Sequence, residues 1–103
     1  MPVVVVTAVF RPAPDKREEL VEALRSTIPG VHAEQGCLLY AIHDAEDGTI
    51  TMLEKWESAE DLDAHGSGEA VAALQAATRD LLAGPVEVTR MTPIPVGGDA
   101  GAL

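Results

Sequence analysis

The hydrophobic residues of this chain follow two rhythms, and the changes between them mark its elements. Over residues 3–10 nearly every position is apolar, and most are β-branched, the composition of a strand. A strand with one wet face carries a polar residue at every second place. Here only Thr7 interrupts the run, which predicts cover on both faces. Arg11-Pro12-Ala13-Pro14 ends the strand. Leu20, Leu24, Ile28 and Val31 then recur at helical spacing, with charges opposite. Asp15 stands where a cap is expected, and Glu18 completes a capping-box pattern. Pro29-Gly30 interrupts the helix while Val31 keeps its phase. The expectation is a kinked helix, or a helix plus a short second turn, ending near Gln35 and stopped by Gly36.

Residues 37–43 return to strand character. The polar turn at 44–48 contains Asp47-Gly48, a hairpin signal. Residues 49–56 form the next strand. Period two puts Ile50, Met52, Glu54 and Trp56 on one face, and Thr49, Thr51, Leu53 and Lys55 on the other. Ser58, with Asp61 three residues on, caps a second helical region in which Leu62 and His65 share a face. Gly66-Ser67-Gly68 breaks that helix. It resumes over 69–82 on the stripe Val71, Leu74, Thr78, Leu81 and Leu82, and Gly84-Pro85 ends it. Residues 86–91 alternate as a fourth strand, and Pro93 and Pro95 prevent its extension.

The order β-α-β-β-α-β predicts an α+β, ferredoxin-like fold: a four-stranded antiparallel sheet with helices on one face. Residues 1–95 form one domain, and 96–103 a flexible C-terminal tail. Helices on one face leave the second apolar face of the first strand open. Such a patch calls for a partner, and the simplest is a homodimer through the open sheet face.

Charge narrows the functional classes. A net charge of −10 leaves no basic face for nucleic acid and opposes binding to anionic membranes. The apolar start is too short for a signal peptide or a membrane span, and the single cysteine excludes an internal disulfide. A cytoplasmic protein is expected. Three scattered histidines and Cys37 do not have metal-ligand spacing, so no metal site is expected. Cys37 reads as a small buried filler.

With only 3% aromatic residues, the stretch 51–65 stands out for candidate chemistry. His65 reads either as a general base, since imidazole titrates near neutrality, or as a helix histidine packed beside the Gly66 break. Trp56 reads as a flat wall for an aromatic ligand or as a core anchor. Glu54 shares its face. A buried carboxylate there is either functional or paired with Arg90 or Arg79. Tyr40 offers a hydroxyl to a pocket or fills the core. His32 and His43 have weaker claims.

Lys16-Arg17-Glu18-Glu19-Leu20, Glu34-Gln35-Gly36-Cys37-Leu38-Leu39-Tyr40, Glu54-Lys55-Trp56-Glu57-Ser58, Leu62, Ala64-His65 and Leu81-Leu82-Ala83-Gly84-Pro85 occur in this order. Together, over residues 3–94, they resemble the antibiotic biosynthesis monooxygenase (ABM) domain family. The resemblance implies a dimeric α+β barrel with a pocket between sheet and helices. It also implies cofactor-independent monooxygenation of a hydroxylated, quinol-type aromatic by molecular oxygen. In that setting His65 takes or relays the phenolic proton and Trp56 orients the ring. Thr7, Tyr40, Glu54 and Val71 contact the small aromatic ligand. Other relatives degrade haem, isomerise small carbonyl compounds or lack known activity. The haem-degrading ones carry an asparagine on the first strand, where Thr7 stands here. Many members have a second histidine and a phenylalanine where this chain has Gly66-Ser67-Gly68-Glu69-Ala70-Val71. One pocket wall is therefore expected to be smaller. The alternative to an enzyme is a non-catalytic dimeric binding or accessory protein of the same fold.

Overall fold

The computed structural model describes residues 2–103. Its strands are β1 (Val4–Phe10), β2 (Cys37–Asp44), β3 (Ile50–Trp56) and β4 (Glu87–Met91). Its helices are α1 (Arg17–His32), α2 (Ala59–Gly66) and α3 (Glu69–Thr78). The sheet order is β2-β3-β1-β4, and every neighbouring pair is antiparallel. This is the ferredoxin-like arrangement that the alternation of elements predicts.

β1 lies inside the sheet and organises it. Its Val4, Val6, Ala8 and Phe10 stand opposite Trp56, Glu54, Met52 and Ile50 of β3. All eight are buried. Leu20, Leu24, Ile28 and Val31 of α1, Leu62 of α2 and Leu74 of α3 close the same core. The other face of β1 carries Val5, Thr7 and Val9 against Lys55, Leu53 and Thr51. None of these six is fully buried. The two apolar faces of β1 therefore have different fates, one under helices and one uncovered by this chain.

Several boundaries depart from the expected ones for local reasons. Asp15 does not cap α1. It adopts φ +64° within a turn closed by the Lys16 N–H to Ala13 carbonyl bond at 3.0 Å, which makes Lys16 the N-cap residue without a side-chain bond. α1 runs through Pro29 to His32 as one helix. Pro29 and Arg25 are both on the exposed side, so the carbonyl left without a donor faces water. Gly36, at φ +80°, makes the turn into β2, and a Cβ there would run into the Asp61 side chain. Ser58 caps α2 as expected, its Oγ accepting from the Asp61 N–H at 3.1 Å. α3 stops at Thr78 and tightens into a 3-10 turn, Arg79–Leu81. The Thr78 hydroxyl donates to the Leu74 carbonyl at 2.9 Å, a local bond that competes with helical continuation.

β4 is an edge strand paired only with β1, and all five of its residues are exposed. The helices leave a gap over this side of the sheet. Beyond Met91 the chain forms no further strand and makes a 3-10 turn at Asp99–Gly101. Among the described residues no helix is long and apolar enough to cross a membrane.

Candidate active site

The gap between β1, β4 and the α2–α3 pair is a cavity of about 810 Å³. Val6, Ala8 and Phe10 form its floor, Val86 and Val88 one side, and Leu62, Val71 and Leu74 the helical side. One row across the sheet supplies its polar groups. The register aligns Tyr40, Glu54, Val6 and Arg90 across β2, β3, β1 and β4. The row runs from a buried end at Tyr40 and Glu54 to an exposed end at Arg90.

His65 joins this row from the last turn of α2 and lines the cavity. It is only 6% exposed. Its Nδ1 lies 2.6 Å from Oε1 of Glu34, in the turn after α1. An ionised carboxylate only accepts, so the proton of this bond belongs to Nδ1. Nε2 makes no protein hydrogen bond. Among the described residues no buried side-chain N or O atom is sealed off without a partner, so Nε2 is the ring nitrogen left free for a ligand at a residue that lines this cavity and a smaller pocket beside Glu34. The ring lies over Trp56 at a centroid distance of 4.7 Å and an angle of 33°, with the Tyr40 ring 5.4 Å away at 68°. Imidazole is thus fixed on one edge by a carboxylate and on its face by aromatic rings.

Glu54 is paired with neither Arg90 nor Arg79. Its Oε1 accepts from the Trp56 indole N–H at 3.0 Å, and Arg90 is bound instead to Asp63 at 2.8 Å. The second Glu54 oxygen has no protein donor and faces the cavity that the residue lines. Burial raises the pKa of this carboxyl, while the indole N–H and His65 pull it down. Burial also pushes the Tyr40 hydroxyl well above the usual phenol range, helped by Glu54 and Glu34. Tyr40 is therefore a hydrogen-bond donor here and not a base. Cys37 is half-buried against the core, and burial raises its thiol pKa.

Four of the six residues singled out in the sequence line the cavity: His65, Tyr40, Glu54 and Val71. Two do not. Trp56 is wholly buried at the end of β3, between Val4 and Cys37 in the sheet. Its N–H is used by Glu54. Trp56 holds Glu54 and His65 in place from behind. Thr7 lies on the opposite sheet face, level with Leu53 and Thr89, and strand alternation turns it away from the cavity. Val6 and Ala8 take that place. Glu34 is the residue that the sequence did not single out. It stands 31 positions from His65, and no local pattern joins the two. His32 is bound through Nε2 to the Tyr40 carbonyl at 2.9 Å, and His43 is exposed. Among the described residues no three His, Cys, Asp or Glu side chains converge as metal ligands.

Comparison with known proteins agrees with this architecture. Residues 3–77 match the profile of the antibiotic biosynthesis monooxygenase family. The chain belongs to that family. It is 34% identical to Rv0793, a candidate monooxygenase of Mycobacterium tuberculosis, over 88% of this chain and 91% of the relative. It is 29% identical to YcnE, a candidate monooxygenase of Bacillus subtilis, over 84% of this chain and 94% of the relative. The solved Rv0793 structure superposes with a TM-score of 0.84, covering 93% of this chain and 99% of the other. A Caulobacter crescentus structure described as a candidate antibiotic biosynthesis monooxygenase gives 0.81 at 25% identity, covering 90% and 91%.

The raised Glu54 carboxyl has a consequence for stability. The folded chain holds this proton at pH values where the unfolded chain, with an ordinary glutamate near ~4.3, has lost it. Between the two values the native state binds more protons, so this group makes stability fall as pH rises. Glu54→Gln keeps an acceptor for Trp56 and cannot ionise. Urea unfolding at a series of pH values above about 4 is expected to show the variant gaining on the wild type as pH increases. A difference independent of pH would contradict the assignment.

Proposed function

We propose that this family member is a cofactor-independent monooxygenase acting on a quinol-type hydroxylated aromatic. The observation that carries the reading is His65, held through Nδ1 by Glu34 and presenting its other nitrogen beside a largely apolar cavity. A phenol docked there gives its proton to Nε2, and the positive charge formed on the ring is stabilised by the Glu34 carboxylate. The resulting phenolate is electron-rich enough to reduce oxygen directly. Apolar walls exclude water and strengthen the local electrostatics. Overall, quinol plus O2 gives hydroxyquinone plus water. One oxygen atom enters the ring and the other leaves as water, so the quinol supplies all four electrons and no external reductant is consumed.

Oxygen-electrode assays with a panel of quinols test this reading. Turnover is expected without added metal or flavin and is lost under anaerobic conditions. His65→Ala is expected to lower kcat by about a hundredfold or more, the usual contribution of a positioned base. Glu34→Gln, which keeps a hydrogen-bond acceptor but removes the charge, lowers kcat with little change in KM. Binding of quinols without turnover would favour a non-catalytic binding protein, and turnover unaffected by His65→Ala would remove the proposed base.

We also propose that a second copy of the chain covers the open sheet face. Val5, Val9, Leu39, Ala41 and Leu53 lie together there with Thr7 among them, and none is fully buried. A two-fold pairing hides this surface from water on both copies at once. Sedimentation at micromolar concentration is expected to give twice the monomer mass. A stable monomer would contradict the pairing.

A further inference from the structure

Charges around the cavity are distributed differently from those on the rest of the molecule. The chain has seven lysines and arginines against 17 acids. Five of these bases, Arg90 among them, are engaged with acids. Among the described residues only Lys55 and Arg79 make no such pair. Lys55 belongs to the open sheet face. Arg79 lines the cavity, as does Arg90. Two of the seven bases thus line one cavity in a strongly acidic protein, and both are exposed. The Asp63 carboxylate that holds Arg90 also lines the cavity. The charges left uncompensated are the Glu54 carboxyl at the buried end and the Arg79 guanidinium at the mouth.

The two ends are separated along the sheet. Glu54 stands opposite Val6 of β1, whereas the Arg79–Leu81 turn meets the chain just beyond β1, where the Leu81 carbonyl accepts from the Ala13 N–H at 2.8 Å. From Val6 to the end of β1 at Phe10 the backbone rises by roughly 13 Å. Small apolar residues, Val6 and Ala8, floor the span. A flat two-ring aromatic fits such a floor lengthwise. At the buried end the ligand meets His65 Nε2 and an unpartnered Glu54 oxygen, both of which accept hydrogen bonds. That end takes a hydroxyl and repels an anion. At the mouth a guanidinium offers several donors in the fork that matches a carboxylate.

We propose that the ligand of this cavity is an aromatic hydroxy acid, with its hydroxyl at His65 and Glu54 and its carboxylate at Arg79. The assignment rests on the cavity being the ligand site argued above, and adds a specificity that a neutral quinol does not need. Arg79 is the specificity-determining residue. Opposite charges at the two ends set the direction in which the ligand lies, because the reversed pose brings a carboxylate against Glu54.

Calorimetric titration with a matched pair of stable probes tests this. 2-Naphthol carries only the hydroxyl, and 6-hydroxy-2-naphthoate adds a carboxylate at the far end. The wild type is expected to bind the hydroxy acid roughly tenfold more tightly than the naphthol, as for a charge-assisted guanidinium contact, with the preference shrinking as salt is raised. Arg79→Gln is expected to abolish the preference and leave 2-naphthol binding unchanged. Equal affinities for the two probes, or a preference that survives Arg79→Gln, would overturn the proposal while leaving the phenol site intact. Binding of neither probe would overturn it together with the site.

Discussion

The bond between Glu34 and His65 is the contact on which the functional reading depends. It ties the turn after α1 to the last turn of α2, two segments with no other reason to fix a ring orientation. It is short, at 2.6 Å, with the imidazole almost wholly enclosed. Once Nδ1 is engaged, only Nε2 remains to meet a ligand. Trp56 completes the restraint by lying under the ring. An imidazole free to flip would present either nitrogen, and proton transfer would then require the right rotamer by chance as well as the right pKa.

The second constraint is the buried carboxylate. Burying Glu54 without a donor would cost several kcal/mol. The indole N–H of Trp56 offsets part of that cost, since a hydrogen bond to a charged group contributes about 1.5–3 kcal/mol. The bond uses one oxygen and leaves the other on the cavity surface. The same pair of residues, two apart on β3, therefore serves packing and polarity together. The core gains its only tryptophan, and the cavity gains a fixed acceptor beside the base. The opposite character comes from Arg79, in the 3-10 turn that follows α3 and lines the same cavity.

Periodicity made much of this legible. The stripe of α1, the Ser58 cap, the hairpin turn at Asp47-Gly48 and the shared face of Glu54 and Trp56 all follow from spacing that the fold obeys. Thr7 failed for a definite reason. β1 is apolar on both faces, so its sequence does not tell which residues look toward the helices, and a shift of one position reverses the face. Trp56 was placed on the right face but too far forward, because the Glu54 oxygen that takes its N–H lies in the same layer. Glu34 was invisible. Its pairing with His65 is a product of tertiary packing between distant segments, and a glutamate before a turn glycine has no distinguishing local signal. The Glu54 partner was misjudged because Arg90 meets Asp63 of α2 first.

The most direct test concerns the protonation of a single ring. Long-range proton–nitrogen correlation spectra of the histidine side chains resolve which nitrogen of His65 carries the proton when the ring is neutral, and whether its partner senses a ligand. The proton is expected on Nδ1, with the Nε2 resonance shifting when 2-naphthol is added. A proton on Nε2, or an Nε2 signal indifferent to the phenol, would contradict a base held by Glu34 and aimed into the cavity.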